Sequence, residues 1–461
     1  MTASPANLPG LLLAAPQSGA GKTTVCLGLL AALRRRGLTV QPFKCGPDFI
    51  DPSLHEMVTG RISRNLDLRM CGPDFVRQSF ARHGRGTHLA VVEGVMGLFD
   101  GGAASSAALA KTLGLPVVLV VDARSMAESA AAIIRGFEGF DPDLVVAGVI
   151  VNRVGSDRHA RLLRDAIASS CRAKLLGLLP RNAAFTIPER HLGLHMGTES
   201  PIGPAHLSTL TEAIDHAIDL DRLLALAQQA RPAPWTRHPT PVPPLPRPRI
   251  AVARDAAFCF TYPDNLDLLE GLGAEIVFFS PLRDSTLPPD LDAVLLGGGY
   301  PELHAETLSA NRAMLDALAS WSRAGGLLHA ECGGFMVLTE GIVCQGKLHK
   351  MVGVFPTRAE MRPSLSRLGY REIVTEPGSI FGPGMALRGH EFHYSDIAPM
   401  PPDVPRVFRM GDQREGYQVH QTLGSYIHLH FGQTPEAAQN FMTRCRAAAR
   451  RRLDLDQETS P

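Results

Sequence analysis

LLLAAPQSGAGKTTVCLGLL, residues 11–30, decides the fold of the first half of the chain. A short apolar run reads as a buried strand, a glycine-rich turn follows, and a Leu- and Ala-rich stretch beginning near Gly21 reads as a helix. Such a turn brings free backbone amides and a helix N-terminus to one point, which suits phosphate. Gly19 and Gly21 keep the loop open to a ligand, Lys22 is placed for the outer phosphates, and Thr23 and Thr24 offer hydroxyls, Thr23 as a magnesium ligand. The strict pattern G-x-x-x-x-G-K-[ST] requires glycine at position 16, where this chain has Pro16. The strand–turn–helix setting nevertheless marks a site for ATP.

Further buried runs, LAVVEGV from 89, PVVLVVDA from 116 and LVVAGVIVN from 144, alternate with helical stretches. That alternation predicts a parallel sheet covered on both faces, a P-loop NTPase-like α/β domain. Two acidic clusters accompany it. KCGPDFIDP (44–52) carries Lys44, Asp48 and Asp51, with a Gly-Pro turn that sets both carboxylates on one side. VVEGVMGLFDG (91–101) places Glu93 at the carboxyl end of a strand, the edge where such sheets bind ligands. Magnesium on a triphosphate wants a hydroxyl and one or two carboxylates, which Thr23, Asp48 and Glu93 supply. Asp122 and Asn152 also end buried strands and are candidates for nucleotide or magnesium contact.

The clearest boundary is RPAPWTRHPTPVPPLPRPR, 231–249, too rich in proline to satisfy helix or sheet hydrogen bonding. It separates an ATP-dependent domain, 1–230, from a second α/β domain, 250–445, in which RIAVARD, EIVFFSP, AVLLGGG and LLHAECGG are the β-rich runs. Both domains are expected to be doubly wound. Residues 446–461 read as a polar, frayed tail.

In GGLLHAECGGFMVL (325–338) an apolar strand runs into Cys332, then two glycines and a helix start. This is the elbow that lifts a nucleophile out of a sheet. The Gly333 amide points where an oxyanion forms, and LLGGGYPEL (295–303) offers Gly298 and Gly299 as further donors. A cysteine alone reads as a small buried apolar residue. Here GSYIHLHFG (424–432) adds His428 and His430 on one face of a strand, and either can take the thiol proton.

Bulk properties agree with small-molecule chemistry. A net charge of +1 with 20% charged residues provides no field for nucleic acid or an anionic membrane. No segment approaches the ~20 apolar residues of a membrane helix. The N-terminus lacks a secretory pattern, and the eight cysteines contain no C-x-x-C pair, so a reducing cytoplasm is expected. Composition is compatible with a homodimer and does not require one.

Together with PERHLGL (188–194) and GHEFHYS (389–395), these motifs resemble the cobyrinic acid a,c-diamide synthases of corrinoid (cobalamin) biosynthesis, in the same order and over nearly the whole chain. The resemblance implies a dethiobiotin-synthetase-like domain followed by a class I glutamine amidotransferase domain. It implies a ligase that takes glutamine, ATP with Mg2+, and a corrinoid polycarboxylic acid, cobyrinic or hydrogenobyrinic. Cys332 and His428 would release ammonia, Asp48, Asp51 and Glu93 would surround magnesium and the reacting carboxylate, and an acyl phosphate would link the half-reactions. Glu189, Arg190, His191, His390, Glu391 and His393 match family-typical positions for substrate binding or domain contact. In that class of amidotransferase a glutamate follows the histidine by two residues, but this chain has His430 there. The departure favours His428 as base and leaves its orienting partner unassigned. Cobyric acid synthase and nickel-sirohydrochlorin a,c-diamide synthase are the nearest alternatives. A partitioning ATPase carrying an inert amidotransferase-like module is the alternative from another class, disfavoured by Cys332.

Overall fold

Seven strands build the first sheet: β1 (Gly10–Ala14), β2 (Val40–Cys45), β3 (Arg64–Leu66), β4 (Leu89–Glu93), β5 (Val117–Asp122), β6 (Val146–Val154) and β7 (Lys174–Pro180). They lie in the order β3-β2-β4-β1-β5-β6-β7, and every pair is parallel. Strand β1 is buried at every position, as a central strand covered on both faces must be. Helix α1 (Lys22–Arg35) packs so closely on the helix Pro204–Ala217 that a Cβ at Gly28 would lie 2.7 Å from Ile214 Cγ1. Parallel register carries the motif residues to one sheet edge: Lys44 lies opposite Glu93, Glu93 opposite Leu13, and Asp122 opposite Asn152.

The computed structural model describes residues 8–185, 187, 189–190, 193–194, 196–199, 202–232 and 246–459, with only the backbone described at 189, 190, 193, 194, 198 and 455–459. The chain divides into two compact units, residues 1–238 and 239–461. Most of the proline-rich stretch, 233–245, lies outside the described residues.

The second unit has a ten-stranded sheet. Glu275–Phe279, Arg249–Ala253, Ala293–Leu296, Leu327–Glu331 and Thr422–Ser425 form its parallel part. Gln413–Val419, Arg406–Met410, Arg367–Thr375, Ala386–His393 and His428–His430 extend it in antiparallel fashion. Burial alternates along Ala386–His393, as expected of strands with one covered face. Among the described residues no helix is long and apolar enough to cross a membrane.

The expected frayed tail, 446–461, is corrected by the structure. Helix Pro435–Thr459 continues through its described residues, 446–459. Arg446 donates to the Leu272 carbonyl, Ala449 is fully buried, and Arg452 pairs with the buried Asp292 at 3.2 Å. The polar composition misled because these arginines satisfy buried acceptors while their stems cover apolar surface.

Candidate functional site

The P-loop lines a cleft of about 680 Å³ together with Lys44, Asp48, Asp51 and Asn152. Gly21 caps α1 at φ 86° with no side-chain cap, so the first amides of the helix remain for a ligand. A Cβ at Gly21 would lie 2.3 Å from Asn152 Nδ2, which donates to the Ala20 carbonyl at 3.0 Å. Asn152 therefore holds the loop from beneath. The departure at Pro16 is braced from the loop after β4: Leu98 N–H donates to Ala15 O at 2.8 Å, and a Cβ at Gly97 would lie 2.7 Å from Pro16 O. Lys22, Thr23 and Thr24 all line the cleft.

Its floor is one buried ionic cluster. Lys44 Nζ lies 2.6 Å from Asp51, 3.5 Å from Glu93 and 3.8 Å from Asp48, and donates to Gly94 O at 3.1 Å. Thr23 Oγ1 donates to Glu93 Oε1 at 2.7 Å. His55, absent from the sequence reading, places Nε2 2.8 Å from Glu93 Oε2, with Ser63 Oγ 3.1 Å from its Nδ1. Asp51 and His55 are four residues apart on helix Ile50–Thr59, one face of one helix, so the spacing could have revealed the pair. Burial favours a neutral Glu93, but Lys44 and His55 outweigh it and hold the carboxyl well below its usual range. Burial and the nearby Glu93 raise Asp51. Lys44 stays a cation: burial opposes its charge, and Asp51 and Glu93 more than compensate. Burial and Lys44 lower Lys22. A hydroxyl and several carboxylates meeting at a phosphate loop are hard oxygen donors of the kind magnesium selects.

Asp122 departs from expectation. Its carboxylate accepts from Arg124 Nε at 2.9 Å and from Arg153 Nη1 at 2.5 Å, and that same Arg153 nitrogen donates to Gly19 O at 2.8 Å. Asp122 is thus paired with two guanidiniums, one of which also reaches the P-loop, and it lines a second cavity with Gln17 and Arg124. Arg124 and Arg153 both line the P-loop cleft.

The second site forms at the carboxyl end of strand Leu327–Glu331. Cys332 adopts φ 47°, ψ −107°, an energetically costly backbone that turns the chain into helix Gly333–Leu338. Cys332 is 5% exposed, and burial, reinforced by Glu302, pushes its thiol well above the usual value, so the resting thiol keeps its proton and needs a base. His428 is at hand. A Cβ at Gly298 would lie 2.3 Å from His428 Cε1 and 3.3 Å from Cys332 Cβ, so thiol and imidazole flank one methyl-sized gap that only glycine leaves open. Burial lowers His428 to about 3, keeping the ring neutral and able to accept a proton.

Gly298 does not donate to an oxyanion as expected. Its N–H donates to Phe260 O at 3.0 Å and its carbonyl accepts from Phe260 N at 2.9 Å, a two-bond bridge to a distant loop. Gly333 N–H is aimed at the thiol, and Gly299 N lies 3.1 Å from where a Gly333 Cβ would be, so both amides lie beside the elbow. His430 accepts from Gly432 N–H at 3.0 Å and packs on Tyr262 at 5.2 Å. Glu331 lies between elbow and base: Oε1 accepts from Leu429 N–H at 3.0 Å and Oε2 is 3.9 Å from His428 Nδ1. Burial raises its carboxyl to about 8.

Both halves match family models. Residues 11–194 match the CobQ/CobB/MinD/ParA nucleotide binding domain, and 249–436 match the CobB/CobQ-like glutamine amidotransferase domain. Over its length the chain is 45% identical to the cobyrinate a,c-diamide synthase of Syntrophotalea carbinolica, covering 95% of this chain and 99% of the relative. It is 43% identical to the enzyme of that name from Salmonella typhimurium and 40% identical to that from Priestia megaterium, each covering 96% of this chain and 98% of the relative. The chain belongs to the cobyrinate a,c-diamide synthase family.

Of the other motifs typical of that family, GHEFHYS is built into the thiol site. His393 stacks on Tyr426 at 3.9 Å and its Nδ1 bonds Ser395 O at 2.7 Å, while Glu391 pairs with Arg371 and lies 3.6 Å from His393 Nε2. His390 packs edge-on against Tyr370 at 5.5 Å. In PERHLGL, backbone pairing joins 189–190 to 193–194, but His191 and the side chains of Glu189 and Arg190 lie outside the described residues.

One consequence of the buried acids is measurable. Burial raises Glu415 from 4.5 to about 7, and its carboxyl accepts from Ser425 Oγ at 2.7 Å beneath the elbow. A folded-state pKa above the unfolded one gives a contribution that is full below the unfolded value and lost as pH rises through the folded value. Thermal melts of the wild type should therefore lose stability from Glu415 between about pH 4.5 and about pH 7, by up to ~1 kcal/mol per pH unit. Glu415→Gln is expected to flatten that decline, and an unchanged slope would contradict it.

Proposed function

We propose that this chain amidates the a and c carboxylates of cobyrinic acid, or of its metal-free analogue hydrogenobyrinic acid, with nitrogen from glutamine and energy from ATP. The observation that carries this reading is the presence, in one chain, of a phosphate cleft with a carboxylate floor and a thiol elbow with its base, in a family whose named members match nearly end to end. Other tetrapyrrole amidases, namely nickel-sirohydrochlorin a,c-diamide synthase and cobyric acid synthase, remain the alternatives. Mass spectrometry of products from a panel of tetrapyrrole acids supplied with ATP, Mg2+ and glutamine tests it; amidation only of a substrate other than these two acids would refute it.

A carboxylate is a poor acyl donor because its leaving group is oxide. Magnesium-bound ATP supplies a phosphoryl group that converts it to an acyl phosphate, from which ammonia displaces phosphate. Lys22 compensates charge on the outer phosphates, the α1 amides hold them, and Thr23, Asp48 and Glu93 are the residues to hold magnesium. Lys44 keeps the carboxylates together and His55 keeps Glu93 ionised. At the other site Cys332 Sγ attacks the amide carbon of glutamine, its proton passing to His428 and then to the departing ammonia. Gly299 and Gly333 amides stabilise the oxyanion. Water then hydrolyses the glutamyl thioester.

Asp48→Asn and Glu93→Gln are expected to depress phosphoryl transfer at saturating ATP, with partial recovery at high magnesium. Asp51→Asn is expected to act through the substrate carboxylate and to let the mono-amide accumulate. Time courses resolving mono- and diamide check this; parallel loss of both steps in all three variants would remove the separate role for Asp51.

A further inference from the structure

We infer that Glu331, the residue immediately before the nucleophile, positions His428 for proton transfer in the glutaminase half-reaction. The inference rests on the proposed roles of Cys332 and His428. Residue 430, where the amidotransferase class places its carboxylate, is histidine in this chain. His430 is engaged with Gly432 and Tyr262. A base that hands protons between a thiol and an amine needs its far nitrogen held by an acceptor, which fixes the tautomer and steadies the imidazolium that forms.

Glu331 is the carboxylate placed to do this. Its two oxygens divide the work: Oε1 is fixed by the Leu429 N–H at 3.0 Å, on the same strand as the base, and Oε2 then faces His428 Nδ1 at 3.9 Å. Bonds of this kind are commonly long without substrate and shorten when it binds. Glu391, which also lies near the base, is committed to Arg371 and His393. As the thiol proton reaches His428 Nε2, the Nδ1–H already on the ring donates to Glu331 Oε2, and the positive charge on the ring strengthens that hydrogen bond with no proton leaving or joining Glu331. The ring later returns its proton to ammonia, so Glu331 ends as it began. The strained φ of Cys332 is what lets two adjacent residues serve one histidine, the thiol reaching it across Gly298 and the carboxylate from behind.

Glu331→Gln tests this with little change of shape. The amide keeps a carbonyl for Leu429 N–H and puts an NH2 where Oε2 stood, which selects the wrong tautomer of His428. The expected result is a fall in glutaminase kcat of ~10²-fold with KM within about two-fold. Ammonium-driven synthesis in the same preparation reports a folded chain. In a His428→Ala background the same change should add less than about two-fold, because Glu331 acts only through that ring. Glu331→Asp, which keeps the carboxyl group, is expected to recover part of kcat. Equal losses in both backgrounds, or a Glu331→Gln protein with normal kcat, would overturn the inference. If Cys332→Ala kept glutaminase activity, the underlying reading of the site would fail instead, and the two failures are distinguishable.

Discussion

Replacing Cys332 by alanine is expected to abolish glutamine-driven synthesis, by at least ~10³-fold, while synthesis with free ammonium stays within about two-fold of the wild type. The reasoning is structural as well as chemical. Cys332 sits at a turn of φ 47° between a buried strand and a short helix, and alanine changes neither the backbone requirement nor the packing volume greatly. Only the nucleophile is lost. His428→Ala should behave similarly, because burial and Glu302 hold the thiol protonated and the imidazole must remove that proton. His430→Ala should be milder, since its described contacts are to Gly432 and Tyr262. Steady-state rates with each nitrogen source check all three. Failure of ammonium to rescue Cys332→Ala would contradict the division of labour between the two units, and a reversed order of the histidines would reassign the base.

Lys22→Ala carries the second large effect and separates the units from the other side. It is expected to reduce synthesis on the order of 10³-fold with either nitrogen source, because a P-loop lysine compensates charge that grows on the transferring phosphoryl group. Glutaminase turnover at Cys332 should survive. Lys22 is the right residue to remove because its amine is only loosely held, 3.4 Å from Met96 O, and burial together with Lys44 already lowers its pKa. A ligand phosphate is the partner that would restore its charge. Lys44 would be a poor choice: removing it leaves Asp51 and Glu93 buried without their cation, so loss of activity could not be told from loss of fold. Normal ammonium-dependent turnover in Lys22→Ala would remove the first unit from the chemistry.

What was legible in the sequence was what is local along the chain. The P-loop and the elbow each fit within about a dozen residues, so their strand, turn and helix could be read directly, and each was assigned its chemistry from spacing. The acids at 48, 51 and 93 were named as a group, but their mutual geometry depends on strand register and on Lys44, which sequence could not supply. His55 was missed although four residues from Asp51, because a histidine within a helix carries no signal until its helix face is known. The glycine run suggests Gly298 as an amide donor, but its N–H is bonded to the Phe260 carbonyl, in a bridge between residues far apart in sequence that spacing does not reveal. Asp122 is a candidate nucleotide or magnesium contact by its place at a strand end, and its pairing with Arg124 and Arg153 is a feature no sequence spacing displays. Glu331 was hidden by adjacency: neighbouring residues normally point to opposite faces of a strand, and only the strained turn at Cys332 brings both to one histidine.

The most direct test of the account is a time course of cobyrinic acid incubated with ATP, Mg2+ and glutamine labelled in its amide nitrogen, followed by mass spectrometry of the corrinoid. The account predicts a labelled mono-amide that converts to a diamide labelled at both the a and c positions and then stops. In the Cys332→Ala protein the same diamide should appear only with added ammonium, and in Lys22→Ala with neither source. Amidation that proceeds past two groups, label placed on other side chains, or no reaction of cobyrinic and hydrogenobyrinic acids beside turnover of a different tetrapyrrole would contradict it.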